Sequence, residues 1–215
     1  MKFLYWILVP AAAYLLGSLS FSIIISTLLL GRDIRKQGSG NAGATNMTRV
    51  FGWAAGVATL AFDFLKGVAA MWLGRKLLGE PGVCVAGMAV MLGHCYPVFH
   101  RFKGGKGIAT GAALGLMIDW RVCVTIVAVF LIVALLSRKV SAGSVAAAVS
   151  VVPATWIFAP RAPMIALAVF GMVLALTRHS ENIRRLMAGT EPDFHAGKSG
   201  KHRSPARTGK HEAKK

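Results

Sequence analysis

The sequence predicts an all-α integral membrane protein of about seven transmembrane helices, one of them short, with the N-terminus outside and the C-terminus cytoplasmic. Three observations carry this expectation. Hydrophobic residues fill 55% of the 215 positions, above the roughly 45–50% of an ordinary soluble domain. They gather into several windows near the roughly 20 residues that cross a bilayer, too many for one small soluble core. The cations fall mostly between and after these windows. Backbone polar groups in lipid must be satisfied within their own segment, so each window is expected as a helix.

The first apolar segment covers 3–30. It is too long for a cleavable leader, and only Lys2 is basic ahead of it. Ser18, Ser20 and Ser22 recur at every second residue, which fits no single helical face; helix packing or a local irregularity accounts for them. The second segment, 53–73, carries Asp63 and Lys66 three residues apart. Charges at membrane depth usually pair, so an internal ion pair is expected here rather than a proton pathway. The third covers 82–99 and the fourth 108–118. The fourth is about 17 Å long as a helix, short of a hydrocarbon core of about 30 Å. It is therefore re-entrant, or packed among its neighbours in a thinned region. The fifth, sixth and seventh cover 122–136, 140–158 and 163–177. Residues 1–194 thus form one membrane domain without internal repeats. From His195 to Lys215 the chain is rich in Lys, Gly, Ser and His without apolar periodicity, and is expected to be a disordered basic tail.

Lys and Arg total 25 against 8 Asp and Glu, a formal charge of +17. In a soluble chain that balance would suggest nucleic acid. Here no nucleic-acid partner is expected, because the cations follow the pattern of loops facing anionic lipid. If all seven segments cross, one side holds Arg32, Arg35, Lys36, Arg49, Arg101, Lys103, Lys106, Arg138, Lys139 and the tail. The other holds Lys2, Arg75, Lys76, Arg121 and Arg161. The excess places the first side in the cytoplasm. Cys84, Cys95 and Cys123 lie in or beside apolar segments with no CxxC spacing, so they read as small hydrophobes rather than disulfide or metal ligands.

Four polar stretches share the cytoplasmic side. They are GSGNAGATNMTR (38–49), HRFKGGKG (100–107), the turn from Ser137 to Ser144, and TRHSENIRRLMAGTEP (177–192). They supply Arg49, Lys103, Lys106, Arg178, His179, three asparagines and glycine-rich backbone, with few groups that only accept. Consecutive N–H groups in such turns form anion-binding nests, and helix N-termini add to them. Gly104-Gly105-Lys106-Gly107 precedes the fourth segment and is expected as a loop feeding a helix N-terminus. It is not a Walker A loop, because His100 and Gly107 stand where Gly and Ser/Thr are required. His179 and Asn182 share one face if the seventh helix continues past Thr177. A histidine in that setting is a candidate base or hydrogen-bond donor.

These residues carry a family resemblance. SGNAGATN with Arg49, GHCYPVFHRFKGGKGIAT (Gly93 to Thr110), RHSENIRRLMAGTEP (Arg178 to Pro192) and the Asp63/Lys66-Gly67 pattern resemble the bacterial acyl-phosphate:glycerol-3-phosphate acyltransferases, the PlsY family. The likeness covers roughly 10–192; many members carry proline where this chain has Ser20. The resemblance implies a multi-pass enzyme of the bacterial inner membrane, functional as a monomer and using no cofactor or metal. It would move a fatty acyl group from acyl phosphate to the 1-hydroxyl of glycerol 3-phosphate, the first acylation of phospholipid synthesis, giving lysophosphatidic acid and phosphate.

The residues suit that chemistry. Both substrates carry phosphate and the donor carries an acyl chain, so a cationic cleft open to the bilayer is required. An acyl phosphate is already activated, so positioning and charge stabilisation are the main needs. No His-x4-Asp motif of acyl-CoA acyltransferases is present. With the resemblance, Ser39, Arg49, Ser144, His179 and Asn182 are expected to hold glycerol 3-phosphate, with Ser39, His179 and Asn182 in the catalytic set. Lys106 and the amides of Gly104, Gly105, Gly107 and the 38–46 turn (Gly38, Gly40) are expected to hold the acyl-phosphate head. Asn41, Thr45 and Asn46 are expected to order that turn by local hydrogen bonds. Either His179 takes the hydroxyl proton, or the leaving phosphate does and His179 only orients the acceptor. A transporter would instead spread polar groups through mid-membrane, and a lipid-binding scaffold would need charge but no fixed Asn, Gly and His.

Overall fold

The computed structural model describes residues 2–194, and its regular structure is entirely helical. The expected disordered tail from His195 lies outside the described residues.

The first apolar segment is broken, not continuous. Helix α1 (Lys2–Gly17) stops, and the short α2 (Phe21–Ile24) runs into a π-helical turn over Ile25–Leu29. The serines mark the irregularity. The Ser18 hydroxyl donates to Tyr14 O and accepts from Val98 N; Ser26 donates to Ile23 O and accepts from Ile34 N. The Ser18 and Ser26 hydroxyls thus satisfy the N–H groups of Val98 and Ile34, each at the start of a short 3-10 turn.

The second and third segments form one hairpin, α4 (Trp53–Cys95), which turns back at Gly79. Gly79 has φ 67 and ψ −148, a conformation that only glycine adopts without strain. Below the turn the two arms touch through small residues. A Cβ on Gly74 would collide with Gly82 O, and one on Gly87 would press on Met71 Sδ at 3.0 Å. Small contact residues of this kind let membrane helices approach closely.

The remaining helices are α5 (Ile108–Ile118), α6 (Trp120–Ser137), α7 (Val140–Phe158) and α8 (Ala162–Arg178), with α3 (Ala44–Phe51) preceding α4 and α9 (Ser180–Met187) following α8. Among the described residues four stretches are long and apolar enough to cross a membrane, five if the bent α8–α9 pair counts as one span. Of the four, α6 is the least buried, as expected of a lipid-facing helix.

Two expectations change. The stretch 38–49 is not all loop, since its second half starts α3. The seventh helix does not continue straight past Thr177: the chain bends by 63° between α8 and α9. Gly79, Asp119, Arg121, Phe158 and Arg161 occupy one end, where Arg121 bonds Phe158 O and Arg161 pairs with Glu80. The four polar stretches gather at the other.

The short α5 shapes that end. At about 1.5 Å per residue it is some 10 Å shorter than α6, which it joins at Asp119. Its N-terminus therefore lies below the ends of its neighbours and leaves a recess in the bundle.

Candidate active site

A cleft of 1680 Å³ fills the recess, larger than the roughly 300–1,000 Å³ of a single small-ligand pocket. Ser39, Gly40, Asn41, Thr45, Asn46, Arg49, Gly104, Lys106, Gly107, Ser144, His179 and Asn182 all line it, while Gly38 and Gly105 do not. The cleft then runs between apolar helices, past Val57 and Leu60 of α4, Gly111 of α5, and Val127 and Leu131 of α6. Val57, Leu60, Val127 and Leu131 are exposed, so these walls open to the side of the bundle.

The first polar stretch is organised by Asn46, which is buried. Its Nδ2 donates to Gln37 O and Asn41 O, both at 3.0 Å, and its Oδ1 accepts from Ser39 N. One amide thus pins the turn. Thr45, expected to help, makes no side-chain hydrogen bond among the described residues. The amides of Ser39 and Gly40 are engaged within the turn, at Asn46 Oδ1 and Gln37 O. They are not free donors, contrary to expectation. Asn41, Ala44 and Thr45 keep N–H groups without partners among the described residues, the last two at the N-terminus of α3. Arg49 is half-buried on that helix and makes no hydrogen bond or ion pair among the described residues, so its guanidinium is available to an anion.

Arg35 joins this stretch to the second one. Its guanidinium pairs with Asp33 at 2.8 Å and donates to His100 O at 3.3 Å. The GGKG loop packs on the end of α4. A Cβ on Gly104 would strike His94 O, and one on Gly105 would strike the His94 ring; glycine is required here by space. Gly105 N–H donates to His94 O at 3.1 Å, so this amide too is unavailable to a ligand, which corrects the expectation. Lys106 donates through Nζ to Asn182 Oδ1. Burial first, then repulsion from Arg185, holds the Lys106 ammonium below its ordinary value.

The last stretch contributes most of the remaining chemistry. His179 is buried at the α8–α9 bend, with Nδ1 2.8 Å from Ala175 O. A carbonyl only accepts, so Nδ1 carries the proton and Nε2 is left with a lone pair. Asn182 also donates through Nδ2 to Glu191 Oε1 at 2.7 Å. Glu191 Oε2 accepts from Arg185 Nε at 2.7 Å, and its backbone O from Lys139 Nζ at 2.8 Å. Burial alone would raise the Glu191 carboxyl, but the bonds from Arg185 and Asn182 and the nearby Arg185 charge outweigh it and hold it below the ordinary glutamate value. Ser144 lies on α7, where its hydroxyl donates to Val140 O at 3.0 Å.

Glu191, Arg185 and His94 were not among the expected site residues. Glu191 had a legible signal: a carboxylate inside an otherwise cationic, acceptor-poor stretch. Arg178, expected as an anion donor, instead reaches the carbonyls of Gly104 and Gly105 and stacks on Tyr96.

Deeper in the bundle, Asp63 and Lys66 form the expected ion pair at 2.7 Å, both buried. Lys66 also donates to Gly17 O and Leu19 O, at 2.9 and 2.7 Å, where α1 breaks.

The sequence model of the glycerol-3-phosphate acyltransferase family matches residues 7–189. The chain is 40% identical over 192 residues to the glycerol-3-phosphate acyltransferase of Finegoldia magna, covering 89% of this chain and 97% of that one. It is 39% identical over 188 residues to that of Thermoanaerobacter sp. strain X514, covering 87% and 95%. Among solved structures it superposes on PlsY, an integral membrane glycerol 3-phosphate acyltransferase, in its glycerol 3-phosphate form. There the TM-score is 0.84 at 37% identity, over 88% of this chain and 95% of that one. The lysophosphatidic acid form of PlsY gives a TM-score of 0.81 at 36% identity, over the same shares. With matching sequence over most of its length and the same helical framework around the cleft, the chain belongs to the glycerol-3-phosphate acyltransferase family.

Proposed function

We propose that the protein transfers a fatty acyl group from acyl phosphate to the 1-hydroxyl of glycerol 3-phosphate, forming lysophosphatidic acid and releasing phosphate. The observation that carries this reading is the two-part cleft, polar and cationic at its recessed end and apolar where it opens between α4 and α6.

Glycerol 3-phosphate sits with its phosphate on Arg49, near Ser39 and Ser144. Its 1-hydroxyl meets His179 Nε2. The donor phosphate lies on Lys106, whose ammonium is aimed by Asn182, which Glu191 holds in turn. Both ends of the Asn182 amide are engaged, which favours a holding role over a direct chemical one. The acyl chain extends along the apolar walls. The hydroxyl oxygen attacks the acyl carbon, a C–O ester bond forms, and the bond from acyl carbon to phosphate oxygen breaks. The proton passes to His179 Nε2, and phosphate departs against Lys106. Positioning two bound substrates supplies much of the acceleration, and the fixed donors stabilise the developing oxyanion.

Seven crossing segments are supported by the fold-back at Gly79 and the grouping of polar loops at one end. In that topology the site faces the cytoplasm of a bacterial inner membrane, the N-terminus lies outside, and one chain holds a complete cleft.

Purified protein incubated with palmitoyl phosphate and glycerol 3-phosphate should release phosphate and form lysophosphatidate; no product would refute the reading. Palmitoyl-CoA in place of palmitoyl phosphate should give none. In a pH–rate profile, His179→Gln retaining activity within about tenfold, or 1.4 kcal/mol, of wild type would remove His179 as an essential base. Cysteines placed in 31–50 should be labelled only from the cytoplasmic side, and labelling from outside would overturn the orientation.

A further inference from the structure

Arg178 lines the cleft, yet its guanidinium donates to protein. Nε bonds Gly105 O at 3.2 Å and an Nη bonds Gly104 O at 3.3 Å. Its Cζ lies over the Tyr96 ring, 5.1 Å from the centroid. These bonds have a consequence for the amides on the other side of the same peptide units. The described chain contains no cis peptide, and in a trans peptide C=O and N–H point in opposite directions. Drawing two successive carbonyls towards Arg178 turns the N–H groups of Gly105 and Lys106 the other way. The first is taken by His94 O. The second, the Lys106 N–H, has no partner among the described residues and sits on the residue whose ammonium faces the cleft.

The geometry points to Arg178 as a positioning residue. By holding the Gly104 and Gly105 carbonyls, it fixes the Gly104–Lys106 backbone so that the Lys106 N–H is offered, together with Nζ, to a phosphate of the acyl donor. His94 clamps the loop from the opposite side through its carbonyl. Beneath the loop, Asp63 of the buried Asp63–Lys66 pair lies 3.6 Å from His94 Nδ1. Two carbonyls are bridged by one planar fork, which a lysine ammonium does not reproduce.

The inference rests on the acyl-phosphate reading above. The test compares Arg178→Ala and Arg178→Lys with wild type. Both variants should raise KM for palmitoyl phosphate by about tenfold or more while KM for glycerol 3-phosphate stays within about twofold. A near wild-type donor KM in Arg178→Lys would mean that charge alone matters, and would overturn the assignment. So would an equal rise in both constants. Limited trypsin digestion supplies a readout independent of turnover: cleavage after Lys103 and Lys106 should accelerate in both variants, and unchanged protection would refute a freed loop. If wild type transfers no acyl group but protection still falls, the reaction is wrong and the clamp stands. Should the Arg178 variants fail to fold, Tyr96→Leu removes the stacking surface alone. A rise of about threefold or more in donor KM would support the role, and no change would overturn it.

Discussion

Asn182 stands between a cation and an anion: its Oδ1 accepts from Lys106 and its Nδ2 donates to Glu191 at 2.7 Å. Neither partner of Asn182 shares its helix, so the lysine of the GGKG loop is aimed by the chain that follows α9. The carboxylate at the end of this relay is held below the ordinary glutamate value of 4.5, the bonds it accepts outweighing burial. A depressed carboxyl contributes stability that is present above its unfolded value and lost as pH falls through the folded one. Activity and protection of the 177–192 segment should therefore be retained above pH 4.5 and decline below it. Glu191→Gln should abolish the decline and lower activity at neutral pH. A wild-type acid profile in that variant would show that another group governs it.

Arg49 has no protein partner among the described residues and faces the cleft. A charge-assisted bond to phosphate contributes about 1.5–3 kcal/mol. Arg49→Ala should lower kcat/KM for glycerol 3-phosphate by about 100-fold, near 2.7 kcal/mol, with folding intact. An unchanged apparent affinity for glycerol 3-phosphate would remove its phosphate role.

Lys66 bonds Asp63 and two carbonyls at the break in α1. Deleting one member of a buried pair typically costs about 3–5 kcal/mol, because the other charge is left uncompensated. Lys66→Met should lower the unfolding midpoint in detergent sharply. The double variant Asp63→Leu/Lys66→Met should recover part of the loss, and equal or greater damage in the double would exclude a charge-based cause.

Gly111 lines the apolar part of the cleft, and a Cβ built on it meets nothing within 4 Å. A leucine there fits the backbone but occupies the groove. Gly111→Leu should impair palmitoyl phosphate more than octanoyl phosphate and leave KM for glycerol 3-phosphate unchanged. Equal loss with both donors would place the acyl chain elsewhere.

Helix identity and the gathering of polar loops were legible because both follow from local composition. Apolar windows dictate helices in lipid, and in the seven-segment reading two apolar segments separate each polar stretch from the next, which returns all four to one side. What the chain does with individual amides was not legible. Whether Gly105 N–H faces a ligand or His94 O depends on contacts between residues distant in sequence. The same holds for Arg178, whose charge suggested an anion but whose fork meets two carbonyls. The bend at His179 was hidden because no proline or glycine announces it. Glu191 was in plain view as an acid among cations, and only its spacing from Asn182 concealed the pairing.

The shortness of α5 reaches beyond the shape of the recess. On the proposed reaction, a centre sunk below the ends of its neighbouring helices would receive one substrate from water and the other sideways from the leaflet. For the second substrate the relevant concentration is its mole fraction among the surrounding lipids, not its amount per volume of assay. Diluting the donor with inert lipid at constant bulk concentration should then slow turnover, as surface-dilution kinetics require.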